Sequence, residues 1–199
     1  MRQETIGIYG GSFNPIHMGH LSLARQLIRE RLLDEVWLMV SPQNPLKSPT
    51  HLLSDEIRMD MATRATIGEE GLSACDLELK LPRPSYTWNT LQLLRQQRPE
   101  VKWVLLIGSD NWSVFSQWYR HEDILREFHV LIYPREGAPI DPTTLPPHVK
   151  IAPTPLINIS STEIRRRVSE GISIHGMVPE AIENDVLRHY TTHEQERNG

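Results

Sequence analysis

Four short apolar runs constrain this chain more than any other feature: Ile6–Tyr9, Val36–Val40, Val104–Ile107 and Val130–Tyr133. Each run is continuous. A strand with one wet face alternates apolar and polar residues, so continuous runs belong to strands buried on both faces, as in a parallel sheet between helical layers. The segments between them carry helical spacing. Leu21, Ala24, Leu27, Ile28 and Leu32 predict one buried helix face after the first run. Ile57, Met61 and Ala65 predict another, with Ser54 as its N-cap. Leu91 and Leu94 mark a third, beginning near Thr87. The alternation predicts an α/β fold: a Rossmann-like doubly wound parallel sheet with right-handed crossovers, flanking helices and a small C-terminal helical part.

Other segments are read more locally. Leu77, Leu79 and Leu81 alternate, which suggests a strand within Leu72–Leu81. Ser41–Leu53 and Pro134–Pro155 are rich in proline and read as loops. Ser160-Ser161-Thr162-Glu163 has the form of a capping box, Ser160 as N-cap and Glu163 at N3, with Gly171 as the stop. Pro179 opens a last helix with Val178, Ile182 and Val186 inward, and the tail after Tyr190 reads as frayed.

At 199 residues, without an internal repeat, the chain suits one domain spanning residues 1–199. Its single cysteine, Cys75, rules out an internal disulfide. No apolar stretch nears the ~20 residues that span a bilayer, and Met1–Thr5 runs straight into a strand without a signal-peptide core. These features fit a cytoplasmic protein without a membrane partner. A net charge of −4 does not advertise nucleic-acid binding, so any basic site is local.

The local site stands out at Gly10–His20, GGSFNPIHMGH, directly after the first apolar run. Two glycines allow close backbone approach where a strand turns into a helix. A helix starting near Gly19 offers unpaired N–H groups and the positive end of its dipole, both suited to phosphate. His17 and His20, three apart, project to one side of that turn. No third ligand lies nearby to make the pair a zinc site, so no protein-held metal is expected.

GGSFNPIHMGH resembles the signature of the nucleotidyltransferase superfamily that shares an HxGH motif with class I aminoacyl-tRNA synthetases. Ile159–Arg165, ISSTEIR, resembles that superfamily's second signature. Pro45-Leu46-Lys47, Ser85-Tyr86-Thr87, Gly108-Ser109-Asp110-Asn111 and Trp118-Tyr119 are similar to segments of the bacterial nicotinate mononucleotide adenylyltransferases. The resemblance implies transfer of an adenylyl group from ATP to nicotinate mononucleotide, with release of pyrophosphate. The attacking phosphate is already anionic. Catalysis then consists of aligning two anions and stabilising charge.

The resemblance also implies roles. Gly10, Gly11, Ser12 and Phe13 line the ATP phosphates by backbone. His17, His20 and Arg165 are the catalytic set, with His20 at the reacting group. Ser161, Thr162 and Arg165 hold the departing β- and γ-phosphates, while Arg166 and Arg167 point elsewhere. Asp110, after the third apolar run, meets ribose hydroxyls, its alternative being a helix N-cap. Lys47 and Arg135 neutralise phosphate, or are solvated. Trp118 stacks on the pyridine ring, or packs in the core, and the amides of Thr87 and Tyr119 take the nicotinate carboxylate. Trp88, Trp103 and Trp112 read as packing or surface residues. Asn14 replaces a commoner Asp, so no metal-ligand role is assigned to it. Mg²⁺ is expected only as the ATP complex. Nicotinamide mononucleotide or phosphopantetheine as acceptor, and a non-catalytic nucleotide sensor, are the competing readings.

Overall fold

The structure, a computed structural model, describes residues 2–42 and 52–195. Strands β1 (Thr5–Gly11), β2 (Glu35–Val40), β3 (Leu72–Cys75), β4 (Lys102–Gly108), β5 (His129–Tyr133) and β6 (Val149–Ile151) form one parallel sheet. Their order is β3-β2-β1-β4-β5-β6. Register shows why the runs are continuous. In β4, Trp103, Leu105 and Ile107 face one core with Leu91 and Leu94, while Val104 and Leu106 face the other with Leu21, Leu27 and Met61. Both sheet faces are therefore dry, as the apolar runs predict.

Helices α1 (Met18–Arg29), α2 (Asp55–Thr66) and α3 (Thr87–Gln97) lie where the spacing predicts them. Two short helices, α4 (Ser109–Trp112) and α5 (His121–Glu127), separate β4 from β5. The C-terminal part is α6 (Ser161–Ser169) and α7 (Glu180–Gln195), packed on the same face as α1 and α2. From β1 the sheet grows one way through β2 and β3, then resumes on the other side at β4. In open α/β sheets, ligands bind at the strand carboxyl ends beside such a reversal.

Several expectations need correction. Helix α1 ends before Leu32, which is exposed, and Leu33 is buried instead. Only Leu72–Cys75 is strand; Leu77–Lys80 is a 3₁₀ turn. The Pro134–Pro155 stretch contains the edge strand β6 and is not loop throughout. Glu163 does not reach back to close the capping box: Ser160 Oγ accepts from Glu163 N at 3.1 Å, but the Glu163 carboxylate pairs with Arg166 and Arg167. Helix α7 continues past Tyr190 to Gln195, and residues 196–199 lie outside the described residues.

Candidate functional site

A cavity of about 660 Å³ opens at the carboxyl ends of β1 and β4. Every sequence-predicted site residue except Lys47 lines it. Lys47 lies outside the described residues.

At one end, the strand β1 runs out through Gly10 and Gly11. Neither adopts a left-handed backbone, so close approach is what these glycines provide. That conformation falls on Phe13, at φ 44°, a departure costing on the order of 1–2 kcal/mol for a residue with a Cβ. Aromatic packing holds it: the Phe13 ring sits edge-on to Tyr9 at 5.8 Å and to His20 at 4.9 Å. The same ring covers the Gly11 Cα, where a Cβ would meet it at 3.2 Å.

His17 is the extended N-cap of α1, and its ring stacks on His20 at 3.6 Å with 22° between planes. Gly19 makes this stack possible. A Cβ there would meet Ile157 at 2.7 Å and the His17 ring at 3.0 Å. Burial, and then the charge of Arg135, push the His17 imidazole down to about 3. Burial, the neighbouring His17 and Arg135 likewise hold His20 well below its ordinary value. Both rings are therefore neutral at pH 7. His20 Nδ1 accepts the His17 N–H at 3.2 Å, which leaves the proton on Nε2 as a donor. His17 Nδ1 is buried without a hydrogen-bond partner among the described residues.

The chain's two ends meet at this loop. Arg165 donates to the Asn14 carbonyl at 2.7 Å, and Ser161 Oγ donates to the Pro15 carbonyl at 2.9 Å. The Ser161 hydroxyl proton is thus held by the protein and the Glu163 amide by Ser160, so the anion donors left at the α6 N-terminus are the Ser161 and Thr162 amides and the Thr162 hydroxyl. Thr162 Oγ1 accepts from Arg165 at 3.2 Å, orienting the guanidinium. Asn14 also lines the cavity, and its side chain is tied behind it: Oδ1 accepts from Tyr190 of α7 at 2.7 Å and from Leu53 N at 3.1 Å. Arg58, at 0% exposure, donates to the carbonyls of Ser12, Ser41, Pro42 and Leu53 and to the Asp55 carboxylate. Sequence reasoning assigned nothing to Arg58 or Tyr190, and no signal in one sequence marks a residue whose partners are backbone carbonyls.

The opposite end is aromatic and more open. Asp110 is exposed in the first turn of α4, where Gly108 is the N-cap, so the helix-cap alternative does not hold. Its carboxylate lies 3.8 Å from Arg135 Nε. Trp118 is half-buried, packed on Phe115 at 5.2 Å with another part of it lining the cavity. Trp88 and Trp103 are buried, and Trp112 stacks on Phe115 at 5.1 Å. Tyr119, at 50% exposure, pairs with Tyr86 at 4.8 Å. Thr87 begins α3, whose N-cap Tyr86 supplies no side-chain acceptor, so the first amides face outward unpaired within the helix. Glu78, a carboxyl buried beside these residues, also lines the cavity and was not foreseen.

The cytidylyltransferase-like family model matches residues 8–167. A Bacteroides fragilis protein named "Probable nicotinate-nucleotide adenylyltransferase" is 44% identical over 188 residues, 94% of each chain. A Bacteroides thetaiotaomicron protein of the same name is 48% identical over 164 residues, 82% of this chain and 81% of that one. The Plasmodium falciparum nicotinic acid mononucleotide adenylyltransferase complexed with NaAD shares the fold, with a TM-score of 0.76, 20% identity and 98% of each chain covered.

Proposed function

The chain belongs to the cytidylyltransferase-like family, and from that premise we infer that it transfers the adenylyl group of ATP to nicotinate mononucleotide. The products are the nicotinate adenine dinucleotide and pyrophosphate. Curated relatives of the same name and near-full length support the reaction. One observation carries the reading from the site: the His17–His20 pair and the α6 N-terminus share one end of one cavity, locked together by Arg165 on Asn14. That end is built from donors, as a triphosphate requires.

In the reaction, a phosphate oxygen of the mononucleotide attacks the α-phosphorus of ATP. The new P–O–P linkage forms as the bridge between the α- and β-phosphates breaks, and pyrophosphate leaves with its electron pair. No base is needed, because the attacking oxygen is ionised. The Nε2–H of His20 stabilises charge at the α-phosphate. The α6 amides and Arg165 hold the β- and γ-phosphates and take up the charge that grows as they leave. Mg²⁺ enters as part of the ATP substrate, held by phosphate oxygens. Arg135 and Lys47 offset the mononucleotide phosphate, and Asp110 accepts from ribose hydroxyls. Trp118 stacks on the pyridine ring, and the amides of Thr87 and Tyr119 receive the nicotinate carboxylate. Among the described residues no helix is long and apolar enough to cross a membrane, and a cytoplasmic setting suits these substrates.

The test is an acceptor comparison with Mg-ATP, following pyrophosphate and dinucleotide. Nicotinate mononucleotide is expected to give the highest kcat/KM, above nicotinamide mononucleotide. Dominant use of 4′-phosphopantetheine overturns the assignment.

A further inference from the structure

Glu78 is a buried carboxyl in the cavity wall that the reaction above does not use. It sits on the 3₁₀ turn after β3, yet its two oxygens reach two other elements. Ser41 Oγ, at the end of β2, donates to Oε2 at 2.6 Å, and Thr90 Oγ1, in the first turns of α3, donates to Oε1 at 2.9 Å. Thr90 in turn is bound through its amide to the Tyr86 carbonyl at 3.2 Å, the N-cap of the same helix. We propose that Glu78 is the positioning residue of the acceptor subsite, setting where the first turn of α3 stands relative to the end of β2. This rests on the acceptor reading of Thr87 and Tyr119 given above.

The two sides of the bridge differ in what else supports them. Ser41 has its own ties: its N–H donates to the Gly11 carbonyl at 2.9 Å and its carbonyl accepts from Arg58 at 2.8 Å. Removing Glu78 leaves those bonds in place, so the phosphate end stays ordered. The first turn of α3 has no side-chain cap, and Glu78 is the carboxyl that ties it to the sheet. The loss therefore falls on the acceptor. A carboxyl without a cationic hydrogen-bond partner among the described residues also suits the task chemically. Burial pushes Glu78 above the usual carboxylate range, which disfavours its charged form beside an anionic acceptor.

The experiment compares wild type with Glu78→Ala and Glu78→Gln, measuring KM for nicotinate mononucleotide and for ATP separately, with thermal unfolding as a control. Glu78→Ala is expected to raise the acceptor KM at least tenfold and the ATP KM less than threefold. Glu78→Gln, which keeps the size and bridges both hydroxyls with its oxygen accepting from one and its NH2 donating to the other, is expected to return both to within threefold of wild type. Should Glu78→Ala not fold, Thr90→Val, which breaks the α3 arm together with the longer Thr90 Oγ1 contact to the Tyr86 carbonyl at 3.4 Å, is expected to show the same split at about fivefold. Equal changes in both KM values, or a folded Gln variant as impaired as Ala, overturn the proposal. A wild-type protein that makes no dinucleotide from this acceptor overturns the functional reading as well.

Discussion

The two ends of the cavity are built by different means. The phosphate end is pinned through main-chain carbonyls. Arg58 holds Ser12 and Ser41, Arg165 holds Asn14, and Ser161 holds Pro15. Phe13, Asn14, His17 and Arg58 are buried there, and both histidines are neutral. The acceptor end rests on aromatic surfaces, with Tyr119 half in solvent and Trp118 shared between core and cavity. A triphosphate makes the same demand in every turnover, and a rigid cradle of donors meets it without reorganising. A flat heterocycle needs area more than fixed donors, and aromatic faces supply it.

The largest expected effect breaks the rigid end. His20→Ala removes the donor that the proposed mechanism sets at the reacting phosphate, while Tyr9 and Phe13, which pack against its ring, remain. Loss of a single charge-stabilising donor in a preorganised site costs on the order of 10²–10³-fold in kcat. Single-turnover pyrophosphate release should fall by at least about 10²-fold, with unchanged circular dichroism. Near-normal turnover in the folded variant removes His20 from the chemistry.

The same change at the open end should do less. Trp118→Ala deletes a stacking face but leaves the Phe115 and Tyr119 surfaces. An aromatic stacking contact is worth about 0.5–1.5 kcal/mol, so the acceptor KM should rise about two- to tenfold with kcat and the ATP KM little changed. A kcat loss as deep as that of His20→Ala would erase the distinction between the two ends.

Legibility in the sequence follows the same division. The phosphate end is legible because one contiguous stretch, Gly10–His20, sets its amides and imidazoles, and the Ser160–Arg165 segment sets the rest. The apolar runs fix four strands because burial on both faces leaves a compositional mark. The residues that do the pinning leave none. Arg58 and Tyr190 act on Ser12 and Asn14 across long chain separations, and a carbonyl acceptor looks alike at every position. Strand β6 is three residues among prolines, too short for a period to register. The leucines at 77, 79 and 81 alternate as a strand would, but Glu78 between them is drawn inward by Ser41 and Thr90, and the segment coils into a 3₁₀ turn.

Tyr190→Phe sharpens the comparison from the back of the rigid end. It removes only the hydroxyl that donates to Asn14, both groups being buried. A buried hydrogen bond contributes about 1 ± 0.5 kcal/mol, and here the Leu53 amide still satisfies part of Asn14. Chemical denaturation should show a loss of about 1 kcal/mol with the slope unchanged. The ATP KM should rise by two- to threefold and the acceptor KM should not move. A shift in the acceptor KM instead would mean that α7 supports the wrong end for this account.

The smallest expected effect separates charge from position at Glu78. Among the described residues its hydrogen-bond partners are the hydroxyls of Ser41 and Thr90, and burial holds its folded pKa above the unfolded value near 4.5. Below that value both states carry the proton and the group contributes its full stability. As pH rises, the unfolded chain releases the proton first, so the native state binds more protons and stability falls. The fall ends once pH has passed the folded pKa. Glu78→Gln keeps the shape and has no proton to lose. Its Tm relative to wild type should therefore climb between pH 4 and pH 8, each kcal/mol of relieved penalty being worth about 2–4 °C in a chain of this size. A difference that stays flat across that range would mean that the carboxyl titrates alike in the folded and unfolded chains, and that burial does not favour its protonated form in the native state.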